Sequence, residues 1–254
     1  MARTKGTGSG GSLKVGLLIP AYNVEDQIGA VIQGARPWVD GILVLDDGSS
    51  DHTREKALGL GTEVISNKPN RGKGYALKQG FAYFRFHGFE AILTIDGDGQ
   101  HDPRYIPHFL EAYKKGKAQV IIGSRMEEGS KIPKARYVPN LIGTYCLSWA
   151  TGQYVPDSQS GYRLYETKAL EGLSLKDNRF ALETEVLIKL AKRGCVFSSI
   201  PVPAIYNEVR QASNFRPVKD IYQISMMVLR SIFWKRETPR PKGTFLLPFR
   251  RRFS

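Results

Sequence analysis

A chain of 254 residues, 41% of them hydrophobic, can bury a full core, so one main domain is the default. Its formal net charge of +13 favours an anionic partner, whether a nucleotide, a nucleic acid or an acidic membrane surface, without choosing among them. Only two cysteines occur, Cys146 and Cys195, far apart and without a C-x-x-C or histidine partner motif, so neither a disulfide framework nor a zinc site is suggested. A reducing, cytoplasmic setting is the expectation.

Residues 1–12, "MARTKGTGSGGS", are basic and rich in Gly and Ser, lack the apolar core of a signal peptide, and read as a disordered lead-in. Apolar runs then alternate with helix-like segments. The stretches 14–22, 41–48, 62–67, 91–99 and 118–125 are rich in β-branched residues, bounded by turn formers, and predict strands. Between them, 25–35, 51–59, 73–88 and 103–116 place apolar residues at helical spacing, with Asp51 and Asp102 as expected N-caps. Such alternation predicts βαβ units, an α/β fold and a mostly parallel central sheet flanked by helices. In an open sheet of that kind ligands bind beyond the carboxyl ends of the strands, where the polar clusters "PAYN", "DDGSSD", "DGDGQHD" and "GSR" all lie.

The second half is less regular. "PNLIGTYCLSWATG" predicts a helix, "SGYRLYE" a strand, and "FALETEVLIKLAKRG" an amphipathic helix closed by Gly194. A strand-like run from Cys195 leads into the loop "VRQASNFRP". An amphipathic helix over 217–235 and a basic tail over 236–254 follow, and no stretch reaches the roughly 20 apolar residues of a bilayer span. The helix is expected to pack on the domain, while the Arg- and aromatic-rich tail suits either an anionic interface or a disordered basic segment.

Chemistry concentrates at the strand ends. In an extended segment residues i and i+2 share a side, so Asp96 and Asp98 can turn their oxygens to one hard cation such as Mg²⁺ or Mn²⁺, with Gly97 allowing close approach. The same "DGDG" also suits a solvated turn. "DDGSSD" combines a carboxylate able to accept from a ribose or base with a strand-to-helix turn. "NRGKGYA", with Lys73, offers backbone donors, a cation and a helix N-terminus to an anion. It is not a Walker A sequence, and no G-x-G-x-x-G follows the first strand. Arg125, Arg136, Arg163, Arg210 and Arg216 stand in turn-like positions where guanidinium groups can grip phosphate.

"PAYN", "DDGSSD", "NRGKGYA", "DGDGQHDP", "GSR", "DSQSGYR" and "FALETE" occur in an order and spacing that resembles family 2 glycosyltransferases with the GT-A nucleotide-diphospho-sugar transferase fold. The branch most similar is that of dolichol-phosphate mannose synthase and related polyprenyl-phosphate glycosyltransferases, over about residues 14–230. The resemblance implies an inverting hexosyltransferase domain over 13–216 that uses Mg²⁺ or Mn²⁺. Its donor would be a GDP- or UDP-hexose and its acceptor a polyprenyl phosphate or a glycan. Pro20, Tyr22, Leu45 and Asp47 would line the nucleoside. Asp96, Gly97, Asp98 and Gln100 would surround metal and diphosphate, with Arg125 beside them. Arg210 and Arg216 would serve the donor and Arg136 and Asn140 an acceptor phosphate. Val24 replaces the glutamate of the family's "PxYNE", and Glu25 falls one place late.

A polyprenyl phosphate needs no general base, whereas a sugar hydroxyl does, and Glu183 or Glu185 would then take the proton. A basic nucleic-acid-binding protein is the rival class, and the acidic strand-end clusters argue against it. Peripheral contact with the cytoplasmic face of a membrane completes the expectation.

Overall fold

The computed structural model describes residues 13–126, 134–203, 205, 217–232 and 234. The expected segment 1–12, the tail 236–254, and both Arg210 and Arg216 lie outside the described residues, as does the side chain of Arg136.

Among the described residues seven strands form one sheet: β1 (Val15–Ala21), β2 (Gly41–Asp46), β3 (Glu63–Ser66), β4 (Ala91–Thr94), β5 (Val120–Ser124), β6 (Arg163–Glu166) and β7 (Phe197–Pro201). Their order is β3-β2-β1-β4-β6-β5-β7. Every pairing is parallel except those of β6, which runs against both β4 and β5. The helices are α1 (Ile28–Ala35), α2 (Thr53–Gly59), α3 (Lys73–Phe86), α4 (Ile106–Lys114), α5 (Lys134–Thr151), α6 (Ala181–Lys192) and α7 (Pro217–Ile232). This is the α/β architecture expected, with one strand reversed.

Alternation along β1 explains why helices cover both faces. Leu17 and Ile19 pack on one side with Ile28 and Ile32 of α1 and Phe109 of α4. Leu18 points to the other, with Phe81 and Phe84 of α3 and Leu187 of α6. Leu17, Leu18, Ile19, Ile28, Ile32 and Leu187 have no solvent exposure, and burial of each such side chain stabilises by roughly 1.5–3 kcal/mol. Asp102 accepts a hydrogen bond from the Arg104 amide at 2.9 Å and caps a short 3-10 turn, Pro103–Tyr105, that precedes α4. Asp51 sits one residue ahead of the α2 N-cap, His52, and accepts from the Thr53 amide at 3.0 Å.

The chain leaves β1 for β2 and β3 on one side and returns to β4 on the other. The carboxyl ends of β1 and β4 therefore flank the point where strand order reverses, and a crevice opens there. Because β6 is antiparallel, its first residue, Arg163, lies beside Thr94 at the end of β4. The segment before β6 thus reaches the same crevice.

Candidate functional site

β4 ends at Thr94, and the next turn carries Asp96 and Asp98. The Thr94 hydroxyl donates to the Gly161 carbonyl at 2.8 Å, tying that turn to the approach to β6. Gly161 faces Asp96 so closely that a Cβ there would stand 2.4 Å from Oδ2, which leaves room for no side chain. Gly97 is packed under Val24 and Ile19. The backbone amide of Gln100 donates to Asp98 Oδ1 at 3.0 Å, so Gln100 is adjacent to the pair through its main chain.

Lys73, in the first turn of α3, places Nζ 2.7 Å from Asp96 Oδ1 and 3.1 Å from Glu183 Oε2. Burial alone would strip the proton from this ammonium, but the two carboxylates outweigh it and its pKa is raised. Burial pushes Asp96 upward as well, and Lys73, then His101 and Arg125, reverse that and hold it below the usual carboxylate range. Asp98, at the rim, makes no ion pair among the described residues. Desolvation by the surrounding wall and then the Asp96 charge push its carboxyl up to about 6.

A second cluster adjoins the first. Asp157, fully buried, receives Arg125 Nε at 2.8 Å, Arg125 Nη2 at 3.1 Å and Asn140 Nδ2 at 2.8 Å. Its carboxyl would rise on burial, but the Arg125 guanidinium holds it far below the ordinary range. Asn140 also accepts from the Ser158 hydroxyl at 3.2 Å. His101 is buried beside Tyr162, and its Nδ1 has no hydrogen-bond partner among the described residues. Burial, then Arg125, lowers its pKa to about 4, so the ring is neutral near pH 7.

Several residues stand elsewhere than the sequence reading put them. The Gly-rich turn does not hold its donors open. Asp47 accepts from the Arg71 amide at 3.0 Å, the Gly72 amide at 2.6 Å and Asn67 Nδ2 at 3.0 Å, so the anion facing that turn is Asp47 itself. The Tyr75 amide is taken by the Asn178 carbonyl at 3.1 Å. Leu45 is wholly buried in the core and presents no side-chain surface to the crevice, whereas Tyr22 is exposed and Pro20 half-buried.

Glu25 pairs with His52 Nδ1 at 3.0 Å, over α2. Arg163 is fully buried and donates to the Ser158 and Glu183 carbonyls, which makes it internal bracing for the turns and not a surface phosphate grip. Asn140 is buried against Asp157, with no open face for an acceptor phosphate.

The two glutamates part company. Glu183 meets Lys73, while Glu185 accepts from the amides of Lys176 and Asp177 at 3.0 and 2.9 Å and from Lys189 Nζ at 2.7 Å. Two positions along an α-helix turn the side chain by about 200°, so both could not face one site. Asp157 was missed as a functional residue. It stands in the motif "DSQSGYR", but its partner Arg125 lies 32 positions away.

The model of glycosyl transferase family 2 matches residues 17–173, more than half of the chain and all of the Asp96–Arg125 half of this site. This chain belongs to glycosyl transferase family 2. The glycosyltransferase is 30% identical over 219 residues to UDP-N-acetylglucosamine--dolichyl-phosphate N-acetylglucosaminyltransferase of Methanococcus voltae, which covers 77% of this chain and 87% of that relative. It is 26% identical over 241 residues to dolichol-phosphate mannosyltransferase of Pyrococcus furiosus, covering 90% of this chain and 66% of that one. Glucosyl-3-phosphoglycerate synthase of Mycobacterium tuberculosis superposes with a TM-score of 0.67 at 21% identity, over 87% of this chain and 80% of that one. The fold is therefore that of GT-A glycosyltransferases, and the crevice at the β1 and β4 ends is the candidate active site.

Proposed function

We propose that this glycosyltransferase moves a hexose from a nucleoside diphosphate sugar to a polyprenyl phosphate, with inversion at the anomeric carbon. The observation that carries the acceptor class is the state of Glu183. Its carboxylate is bonded to Lys73 in the ion pair that also holds Asp96, so it is committed as a charge partner and poorly placed to collect a proton. An anionic phosphate oxygen attacks without giving one up. The names of the two relatives above, both dolichyl-phosphate glycosyltransferases, support the same class.

The donor set suits a hard divalent cation. Among the described residues no cluster of three or more His, Cys, Asp or Glu side chains is gathered for a metal. Asp96 and Asp98 offer two carboxylates, and Mg²⁺ or Mn²⁺ commonly takes one or two and completes its shell with water and substrate phosphate. After burial, it is the Asp96 charge that pushes the Asp98 carboxyl up, and a cation between the two would offset that repulsion. Asp96 and Asp98 would hold the ion, which when bound supplies Lewis-acid charge at the leaving diphosphate.

The chain's own residues do the rest. Arg125, fixed by Asp157, presents a permanent cation at the crevice where diphosphate charge grows, and preorganisation means that no reorientation is needed as the bond breaks. Lys73 keeps Asp96 ionised and in place. Exposed Tyr22 and half-buried Pro20, at the end of β1, would bear on the nucleoside, and Arg136, Arg210 and Arg216 would serve the phosphates.

A donor panel assayed by nucleoside diphosphate release, with and without a short polyprenyl phosphate, tests the reading. Release that depends on the lipid phosphate, with Glu183→Gln retaining kcat within about tenfold, is expected. A loss of about 10²–10⁴ in kcat with Glu183→Gln, seen only with a hydroxyl acceptor, would establish instead the reading in which Glu183 is a base toward a glycan.

A further inference from the structure

The turn that leads from β3 into α3 lies on the β2 side of the crevice and is pinned there. The Asn67 amide donates to the Asp46 carbonyl at 2.8 Å, and the amides of Arg71 and Gly72 are held by Asp47. Gly48 packs so tightly on this turn that a Cβ would stand 2.9 Å from the Asn67 carbonyl oxygen. Arg71 is therefore fixed through its main chain beside the carboxylate that follows β2.

Its side chain is exposed and yet ordered. The guanidinium Cζ stands 4.0 Å from the centre of the Tyr75 ring, and Nη1 donates to the Tyr75 hydroxyl at 2.7 Å. Tyr75 is held in turn, its amide shared between the Gly72 and Asn178 carbonyls at 2.9 and 3.1 Å. A surface arginine ordinarily keeps its rotamer freedom. This one gives it up on an aromatic face, and among the described residues no carboxylate pairs with it. Stacked by its face, the guanidinium still offers N–H donors at its edge.

Neighbouring strands lie about 4.8 Å apart, and β2 and β4 flank β1, so the turns after β2 and β4 are separated by about 10 Å across the crevice. Given the nucleoside diphosphate sugar proposed above as donor, a diphosphate at the β4 end sends its ribose and base toward β2, where Asp47 and Arg71 stand. We propose that Arg71 reads the base of the donor and selects one with a ring carbonyl beside an N–H, uracil or guanine, over cytosine and adenine.

Donors and acceptors decide the choice. A guanidinium can only donate and a carboxylate can only accept. Asp47 receives three donors, Arg71 N, Gly72 N and Asn67 Nδ2, and a carboxylate has about four lone-pair sites, so it keeps room for one more. Side by side, the two groups match an edge that presents a carbonyl oxygen and then an N–H, as uracil and guanine do. Cytosine and adenine present an amino group and a bare ring nitrogen, so donor would face donor and acceptor face acceptor. A site built to hydrogen-bond rejects such an analogue, because its own groups are left unpaired.

Calorimetric titration of the full chain in Mn²⁺, with UDP against CDP and GDP against ADP, keeps ring size constant within each pair. Wild type is expected to prefer the carbonyl-bearing member of the pair it binds by at least about tenfold, and Arg71→Met to bring that ratio within about threefold. Arg71→Lys, which keeps the charge without the fork, should recover only part of the preference. Inorganic pyrophosphate should bind wild type and Arg71→Met alike, and circular dichroism confirms that both variants fold. An unchanged ratio in Arg71→Met overturns the proposal, as does a wild type indifferent to the base. So does a variant that loses pyrophosphate and all four nucleotides equally, because Arg71 then grips phosphate. A wild type that binds none of the four overturns it together with the donor reading, whereas transfer to a polyprenyl phosphate is decided by the release assay and not by these titrations.

Discussion

Replacing Lys73 with Met removes the ammonium while keeping most of its stem. Nζ now lies within 2.7 Å of Asp96 and 3.1 Å of Glu183, with the three side chains 17%, 26% and 13% exposed. Removing one partner of a buried pair costs about 3–5 kcal/mol, and the residual solvent access here places the loss near the lower end. Taking about 3 kcal/mol, and about 3 °C per kcal/mol for a chain of this size, the Tm falls by about 9 °C. The stranded carboxylates can take up protons, so the deficit shrinks as the pH is lowered from 8 to 5.

A divalent cation should fill the same electrostatic role. Millimolar Mn²⁺ is therefore expected to raise the Tm of Lys73→Met by more than it raises that of wild type. Differential scanning calorimetry at several pH values, with and without Mn²⁺, measures both effects. A variant within about 2 °C of wild type, or a metal shift equal in the two proteins, would refute the idea that Lys73 is the counter-ion of this carboxylate pair.

Asp157→Asn should cost about 3–5 kcal/mol, because a largely buried ion pair loses its carboxylate beside the Arg125 guanidinium, and urea titration would read this directly. Since the folded pKa of Asp157 is depressed, its contribution is present above the unfolded value near 3.9 and is lost as pH falls below it, and Asp157→Asn should flatten that acid limb. Asp98 has the opposite sign. The folded chain holds its proton up to about 6, so in metal-free buffer stability falls as pH rises through roughly 4–6, though solvent at the exposed rim keeps the loss small. Mn²⁺ affinity by calorimetry should accordingly weaken below about pH 6 by up to about tenfold per unit, and an equal affinity at pH 5 and 7.5 would contradict this.

Gly74→Ala would bring Cβ to 2.6 Å from the Arg179 carbonyl and push the 178–180 segment off α3, a strain of about 1–3 kcal/mol visible in the Tm. Glu185→Gln should lower the Tm while leaving kcat intact, since among the described residues its carboxylate meets Lys189 and the amides of Lys176 and Asp177 and not Lys73 or Asp96.

Parallel strands buried on both faces announce themselves by nearly continuous apolar runs, and so β1, β2, β4 and β5 were legible, as were α1 to α4 between them. The direction of β6 was not, because "RLYE" has the same two-residue period read either way and nothing local tells which neighbour it will join. Motif order located the crevice, and the juxtaposition of Asp96, Asp98 and Arg125 with it. What the motifs could not convey was which donors each carboxylate satisfies. Asp47 consumes backbone amides, which every residue possesses and no sequence pattern advertises. Asp157 and Arg125 pair across 32 positions through a turn whose path depends on the tertiary fold. The parting of Glu183 and Glu185 was within reach, since helical geometry alone keeps two such positions apart once "FALETE" is read as helix.

The reversal of β6 has a wider consequence. In a sheet of uniform polarity every loop at the reactive edge would follow a strand, and each would be bound to the helix that comes next. Here one edge loop precedes its strand, and the stretch from Asp157 to Tyr162 enters from behind, outside the run of βαβ units, yet it holds Arg125 through Asp157 and lies against Asp96 through Gly161. Descendants of such a scaffold can lengthen or recolour that rear entrance only around those two fixed points, because a change at either would disturb the carboxylates at the end of β4 as well.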